Sequence, residues 1–251
     1  MRTFAITLFC ISIFSINISY SQDALSILNK MDALMQAPKD KQAIVKITTN
    51  NKSGKEKVRE AIMKQKGKDK RLYQYTQPES QAGIATLSLP DDVMWMYMPA
   101  FGKPKKISLL AKSQAFTGTD FSYEDMEARP YAERYDPKLT ETTNDGFILE
   151  LTPKSDKSSY NKIMVKVDKT NFYPIKMEYY DKRDELFKEA HYTYQKSGKY
   201  WYASEVIMAD LKKEHSTVIE MTDVIFDQGL SDDVFDVENL APKKEEEQKE
   251  K

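Results

Sequence analysis

Over most of its length this chain repeats apolar residues with a period of two, and that alternation confines it to a β-sheet fold. Lys162 to Asp168 shows it most plainly, with Ile163, Val165 and Val167 on one face and Lys162, Met164, Lys166 and Asp168 on the other. Comparable runs cover 43–49, 58–66, 70–76, 84–89, 93–99, 147–152, 175–181, 186–195, 200–210 and 216–224. Short turns such as Asn50–Gly54 and Asn171–Pro174 separate them, so antiparallel pairing is the expectation. A meander this long curls toward a barrel. One stretch departs from the period: Asp23 to Gln36 places Leu25, Leu28, Met31, Leu34 and Met35 at helical spacing, with Asp23 as a start cap and Pro38 beyond the end. The apolar stripe needs a partner surface, and the concave face of the sheet is the available one. The predicted fold is mainly antiparallel β (α+β). It is a curled, unclosed half-barrel of roughly ten strands, with an N-terminal helix and a short second helix covering an apolar concave face.

The ends read differently from the middle. Arg2 followed by the apolar run Phe4–Ile18 and by Ser19-Tyr20-Ser21 reads as a signal peptide over 1–21, cleaved before Gln22. The single cysteine, Cys10, lies inside this run after Thr7-Leu8-Phe9, a poor lipidation context. The mature chain then contains no thiol, so neither disulfides nor thiolate chemistry operate in it, and export without disulfides fits a bacterial periplasm. Residues 22–241 form one domain by this reading, and Pro242–Lys251 a disordered charged tail. With 38 basic and 39 acidic residues the net charge is −1, which gives no reason to expect nucleic acid as a partner.

The segment from Met94 to Met126 carries the densest signal. Met94, Met96 and Met98 alternate with Trp95 and Tyr97 on one short strand, so the two sets face opposite ways. Methionine adapts to irregular apolar shapes, which suits a ligand-lining wall as well as an ordinary core. The predicted cavity residues are Leu28, Met31, Met35, Met63, Leu87, Met94, Trp95, Met96, Tyr97 and Met98, and alternation leaves open which face of the strand lines the cavity. Lys103, Lys105 and Lys106 around Pro104 suit contact with a headgroup or partner, or simply a solvated turn. Ser122 and Asp125 have the spacing of a capping box, predicting a helix over 122–129 stopped by Pro130. Capping explains two of Asp120, Glu124 and Asp125, so these are not read as a catalytic or metal cluster. The two histidines, His191 and His215, accompany no nucleophile elbow, zinc helix or phosphate loop, which weakens a hydrolase reading.

The runs Thr76-Gln77-Pro78, Gly83-Ile84-Ala85, Trp95–Pro99 and Lys105–Ser108, followed by Phe116–Asp125, resemble the outer-membrane lipoprotein-sorting family. The likeness is to LolA-like periplasmic carriers, in the branch associated with RND/MMPL-type transporters. The motif loop is marked by Phe116, Gly118, Asp120, Phe121, Tyr123 and Glu124. The resemblance implies an unclosed, LolA/LolB-like barrel with helices over an apolar cavity. It implies non-enzymatic carriage of lipoprotein or lipid acyl chains toward the outer membrane, by a monomer without cofactor or metal. An inner-membrane transporter and an outer-membrane acceptor are the implied partners. Lys105-Lys106 stand where the family often has arginine; lysine keeps the charge and loses the two-pronged donor geometry. The alternative is an accessory transporter subunit that holds no lipid and docks through Val224–Leu240, where Asp232, Asp233, Asp236 and Glu238 surround Val234, Phe235 and Val237.

Overall fold

Among the described residues thirteen strands form one antiparallel sheet, and its spatial order positions the rest of the fold. The computed structural model describes residues 17–241; the predicted tail and most of the predicted leader lie outside them. Strands β1 (Asp40–Asn50), β2 (Glu56–Lys66), β3 (Lys70–Gln77), β4 (Ala85–Leu89), β5 (Val93–Tyr97) and β6 (Lys105–Lys106) meander outward in one direction. The chain then crosses to the far edge and returns through β7 (Tyr135–Thr142), β8 (Gly146–Pro153), β9 (Lys162–Asp168), β10 (Pro174–Tyr180), β11 (Leu186–Ser197), β12 (Tyr200–Asp210) and β13 (His215–Phe226). Strand β13 pairs with β1, so the first and last strands meet in mid-sheet and the free edges are β6 and β7. The half-barrel is unclosed, as predicted. Beyond the eleven predicted runs, the two further strands are the two-residue β6 and the polar β7, which carries Pro137 at an edge where a missing N–H is tolerated.

Helix α1 (Asn17–Met35) lies on the concave face with Ala24, Ile27, Leu28 and Met31 buried. Complete burial of Leu28 and Met31 contributes about 2 kcal/mol each, which holds a helix of modest intrinsic propensity in place. Asp23 lies inside α1 rather than capping it, and Pro38 follows its end as expected. The second helix is not at 122–129. Ser122 and Asp125 do exchange the reciprocal bonds of a capping box: the Ser122 N–H donates to Asp125 Oδ2 (2.7 Å), and the Asp125 N–H donates to Ser122 Oγ (3.1 Å). The turn stops there, and the actual short helix is α2 (Tyr131–Arg134), which starts after Pro130. Asp32 of α1 accepts from the N–H groups of Tyr131 (2.9 Å) and Ala132 (2.8 Å), tying the two helices together.

Two apolar clusters result among the described residues. The large one fills the concave side with inward residues such as Val45, Met63, Tyr75, Leu149, Val165 and Met177 beneath α1. The smaller one lies on the outer face of β3–β5, where Leu72, Ala85, Leu87 and Tyr97 pack against Phe235 and Leu240 from the C-terminal turns. Those turns are Asp232–Phe235 and Val237–Leu240, latched by Asp40, whose carboxylate accepts from the N–H groups of Gln228, Gly229 and Leu230.

Candidate binding face and its strap

Residues 107–134 connect the two free edges, and instead of skirting the molecule they run across the mouth of the half-barrel into its interior. Phe116, Phe121, Tyr123 and Met126 belong to the concave core, with Phe116 meeting Tyr73 (5.6 Å) and Tyr123 (5.4 Å) edge-on. This strap and α1 together cover the concave face. The motif residues are its fastenings. Asp120 is buried and accepts from Thr217 Oγ1 (2.6 Å) and His215 Nδ1 (2.8 Å), while Lys188 donates to its carbonyl (2.6 Å). Glu124 accepts from Ser158, Ser159 and Tyr135. Asp125 accepts from Tyr160 (2.7 Å), and burial pushes its carboxyl above the usual range. Gly118 has a φ of +78°, a conformation that side chains resist, and an added Cβ there would meet nothing within 4 Å. Its requirement is backbone geometry alone.

The predicted cavity residues divide between the two clusters. Leu28, Met31, Met63 and Met94 are buried in the concave core, and Met35 and Met96 pack at its margin. Leu87, Trp95 and Tyr97 face the other way, into the cluster under the C-terminal turns. Alternation along β5 therefore holds, and Met94 and Met96 face inward. Met98 is half-buried just before the turn Pro99–Phe101. Lys103, Lys105 and Lys106 are exposed at the β6 edge, with Lys105 Nζ 4.2 Å from the Phe101 ring. His191 is exposed beside Glu189, and His215 fastens the strap.

Several interior groups were not anticipated. Tyr131, Tyr179 and Tyr192 all direct their hydroxyls at Met177 Sδ, at 3.6, 3.5 and 3.4 Å. Burial raises the pKa of each phenol, so all three stay protonated donors facing one weak acceptor. Beside them Tyr173 stacks on Tyr194 (4.3 Å) and meets Trp201 edge-on (5.5 Å), forming a half-buried aromatic band. The alternating Tyr192/Tyr194 and the Tyr200-Trp201-Tyr202 run around Gly198 are the sequence signal for it. At the margin of the core, burial and the nearby Arg71 guanidinium lower the Lys41 amine to about 7. A buried ionic group lies within the strap, where Lys112 pairs with Glu127 (2.6 Å) and with Asp92 of the β4–β5 turn. Among the described residues no group of three or more His, Cys, Asp or Glu is arranged to hold a metal ion, and no helix is long and apolar enough to cross a membrane.

A family model described only as an uncharacterized protein matches residues 67–242. A domain described as an outer membrane lipoprotein-sorting protein, from Vibrio parahaemolyticus, superposes with a TM-score of 0.82. It is 29% identical, over 88% of this chain and 100% of its own. The chain belongs to the LolA-like family. A DUF1329 family protein from Desulfovibrio piger matches with a TM-score of 0.82 and 26% identity over 88% of this chain and 99% of its own. A LolA superfamily protein from Nitrosomonas europaea gives 0.72 and 27% over 85% and 97%. No curated protein matches the sequence. The LolA-like fold of this chain thus has its concave face covered by α1 and by a fastened strap.

Proposed function

We propose that this LolA-like protein is an exported periplasmic carrier that buries the acyl chains of a lipoprotein or lipid on its concave face and moves them toward the outer membrane. One observation supports this most. Six of the twelve methionines, Met31, Met63, Met94, Met126, Met177 and Met208, are buried in the single concave cluster. Methionine has three rotatable bonds and a polarizable sulfur, so such a wall reshapes around varied apolar guests where branched residues would not. Each buried CH₂ of a guest contributes about 0.8 kcal/mol. In the closed form α1 and the strap occupy the face, so loading requires them to yield part of it. Their contribution to the core sets what a guest must offset. The three tyrosine hydroxyls around Met177 offer donors to the ester or amide oxygens at the head of an acyl chain. The work is burial, not bond-making. Residues 1–21 act as the export signal in this reading, and delivery involves an inner-membrane transporter and an outer-membrane acceptor.

The test is mass spectrometry of organic extracts of protein isolated from its own periplasm, with a parallel titration of the purified chain with acyl detergents. Co-purified acyl lipid in molar proportion supports the carrier. An empty protein that also ignores added acyl chains ends the idea.

A further inference from the structure

A second, polar feature lies at the end of the concave face beside the β1–β2 hairpin. A cavity of about 400 Å³ opens there, lined among others by Lys55, Lys57, Arg59, His215 and the strap residues Thr117 and Gly118. No carboxylate among the described residues lines it. The period-two pattern of β2 produces this segregation. In Glu56-Lys57-Val58-Arg59-Glu60 the residues paired with Thr49 and Ile47, both inward-facing, are Lys57 and Arg59. Glu56 and Glu60 fall on the outer face, near Lys46. Cations thus point into the mouth and acids away from it.

Arg59 is 6% exposed and lines the cavity, yet forms no ion pair among the described residues. One terminal nitrogen donates to the Thr117 carbonyl, the guanidinium lies 5.7 Å from the Tyr75 ring centre, and Nε has no hydrogen-bond partner among the described residues. Lys55 and Lys57 are exposed and likewise meet no carboxylate among the described residues. The carboxylate beside His215, Asp120, is engaged by that histidine and by Thr217. A buried cation without a counter-charge is costly, which makes the mouth a standing demand for an anion. A second cavity, lined largely by the strap itself, shows the contrast, because there Lys112 pairs with Asp92 and Glu127, Arg129 with Asp92 and Arg134 with Glu127.

We propose that this mouth is a binding site for a phosphate-type oxyanion, held by Arg59 and Lys57 with Lys55 at the rim. Arginine supplies directed donors and the lysines supply mobile charge, the usual division of labour in phosphate recognition. The anion is either free phosphate or the phosphate of a lipid headgroup. The site lies apart from the exposed β6 lysines and does not depend on acyl carriage. Occupation would also bear on the strap, since Arg59 already holds Thr117.

The experiment is an amide NMR titration of the full chain with inorganic phosphate, dodecyl phosphate and dodecyl maltoside. Saturable shifts at Lys57, Arg59, Gly118 and His215 are expected with the phosphate compounds. Lys55→Gln/Lys57→Gln should weaken binding about tenfold without lowering the melting temperature, because both side chains are exposed. Arg59→Gln should weaken it too, but it also loosens the strap, so the double lysine variant decides. Dodecyl phosphate binding more tightly than phosphate assigns a headgroup; equal binding assigns free phosphate. Absence of saturable shifts with either phosphate compound, or unchanged affinity in the double variant, overturns the site. Dodecyl maltoside binding with both phosphate compounds silent sinks the anion site and spares the carrier; phosphate binding with no acyl retention does the reverse.

Discussion

Phe116→Ala tests whether the strap is packed into the half-barrel or merely laid across it. The ring is 1% exposed and meets Tyr73 and Tyr123 edge-on, so its removal leaves an unfilled hole between the strap and β3. Loss of a buried Phe costs about 3–5 kcal/mol, of which the two edge-on contacts supply about 1 kcal/mol each. A domain of this size loses roughly 2–4 °C of melting temperature per kcal/mol, so a drop of about 6–20 °C is expected in calorimetry. Only a parent at the very bottom of the usual range of about 5–15 kcal/mol would leave the variant unfolded. The same hole lowers the resistance to an entering acyl chain, so a fluorescent fatty-acid probe should bind more tightly to the variant than to the parent. A loss below about 1 kcal/mol in urea unfolding would refute the packing argument. Weaker probe binding in a folded variant would refute the link between strap and loading.

Two further perturbations address the fastenings. Asp125 has its pKa raised by burial, so its ionised form costs stability at neutral pH, and that cost fades as pH falls through the raised value toward the ordinary carboxylate range. Asp125→Asn, which retains an acceptor for Tyr160, should therefore gain melting temperature relative to the parent as pH rises from the ordinary carboxylate value, about 3.8, to neutrality; a pH-independent difference would contradict this. Asp40→Ala removes the acceptor of three backbone N–H groups at 228–230 and should cost about 2 kcal/mol. It should also release the C-terminal turns to limited proteolysis near residue 228, and an unchanged digestion pattern would show that Phe235 and Leu240 hold the turns without the latch.

Strand positions were legible because alternation is a local property, and Ile163, Val165 and Val167 need no distant partner to declare a face. β7 escaped notice because an exposed edge strand with Asp136, Pro137 and Lys138 has little apolar signal to show. The helix over 122–129 failed for the opposite reason. Its local start signal is present and its bonds form, but Glu124 and Asp125 are recruited by Ser158, Ser159 and Tyr160 from 34–35 residues away. Those tertiary bonds hold the segment as a single turn. The separation of Met94 from Trp95 and Tyr97 followed from periodicity, whereas the face each set occupies depended on where the C-terminal turns pack. The cation-lined mouth was invisible for the same kind of reason. Lys57 and Arg59 look like ordinary charged strand residues until the strap is seen to pass beside them at Thr117 and Gly118.

The order of strands has a consequence for the covalent chain. The halves built from β1–β6 and β7–β13 meet along one ladder, from Lys41 opposite Phe226 to Asn50 opposite Ser216. The covalent connection between them is the strap. A cut within an exposed stretch such as Ser113–Ala115 would therefore sever the polypeptide while leaving every strand pairing of the sheet intact. Two separately produced pieces, divided at that point, should recognise each other through β1 and β13 and rebuild the half-barrel, which makes the molecule a natural candidate for fragment complementation.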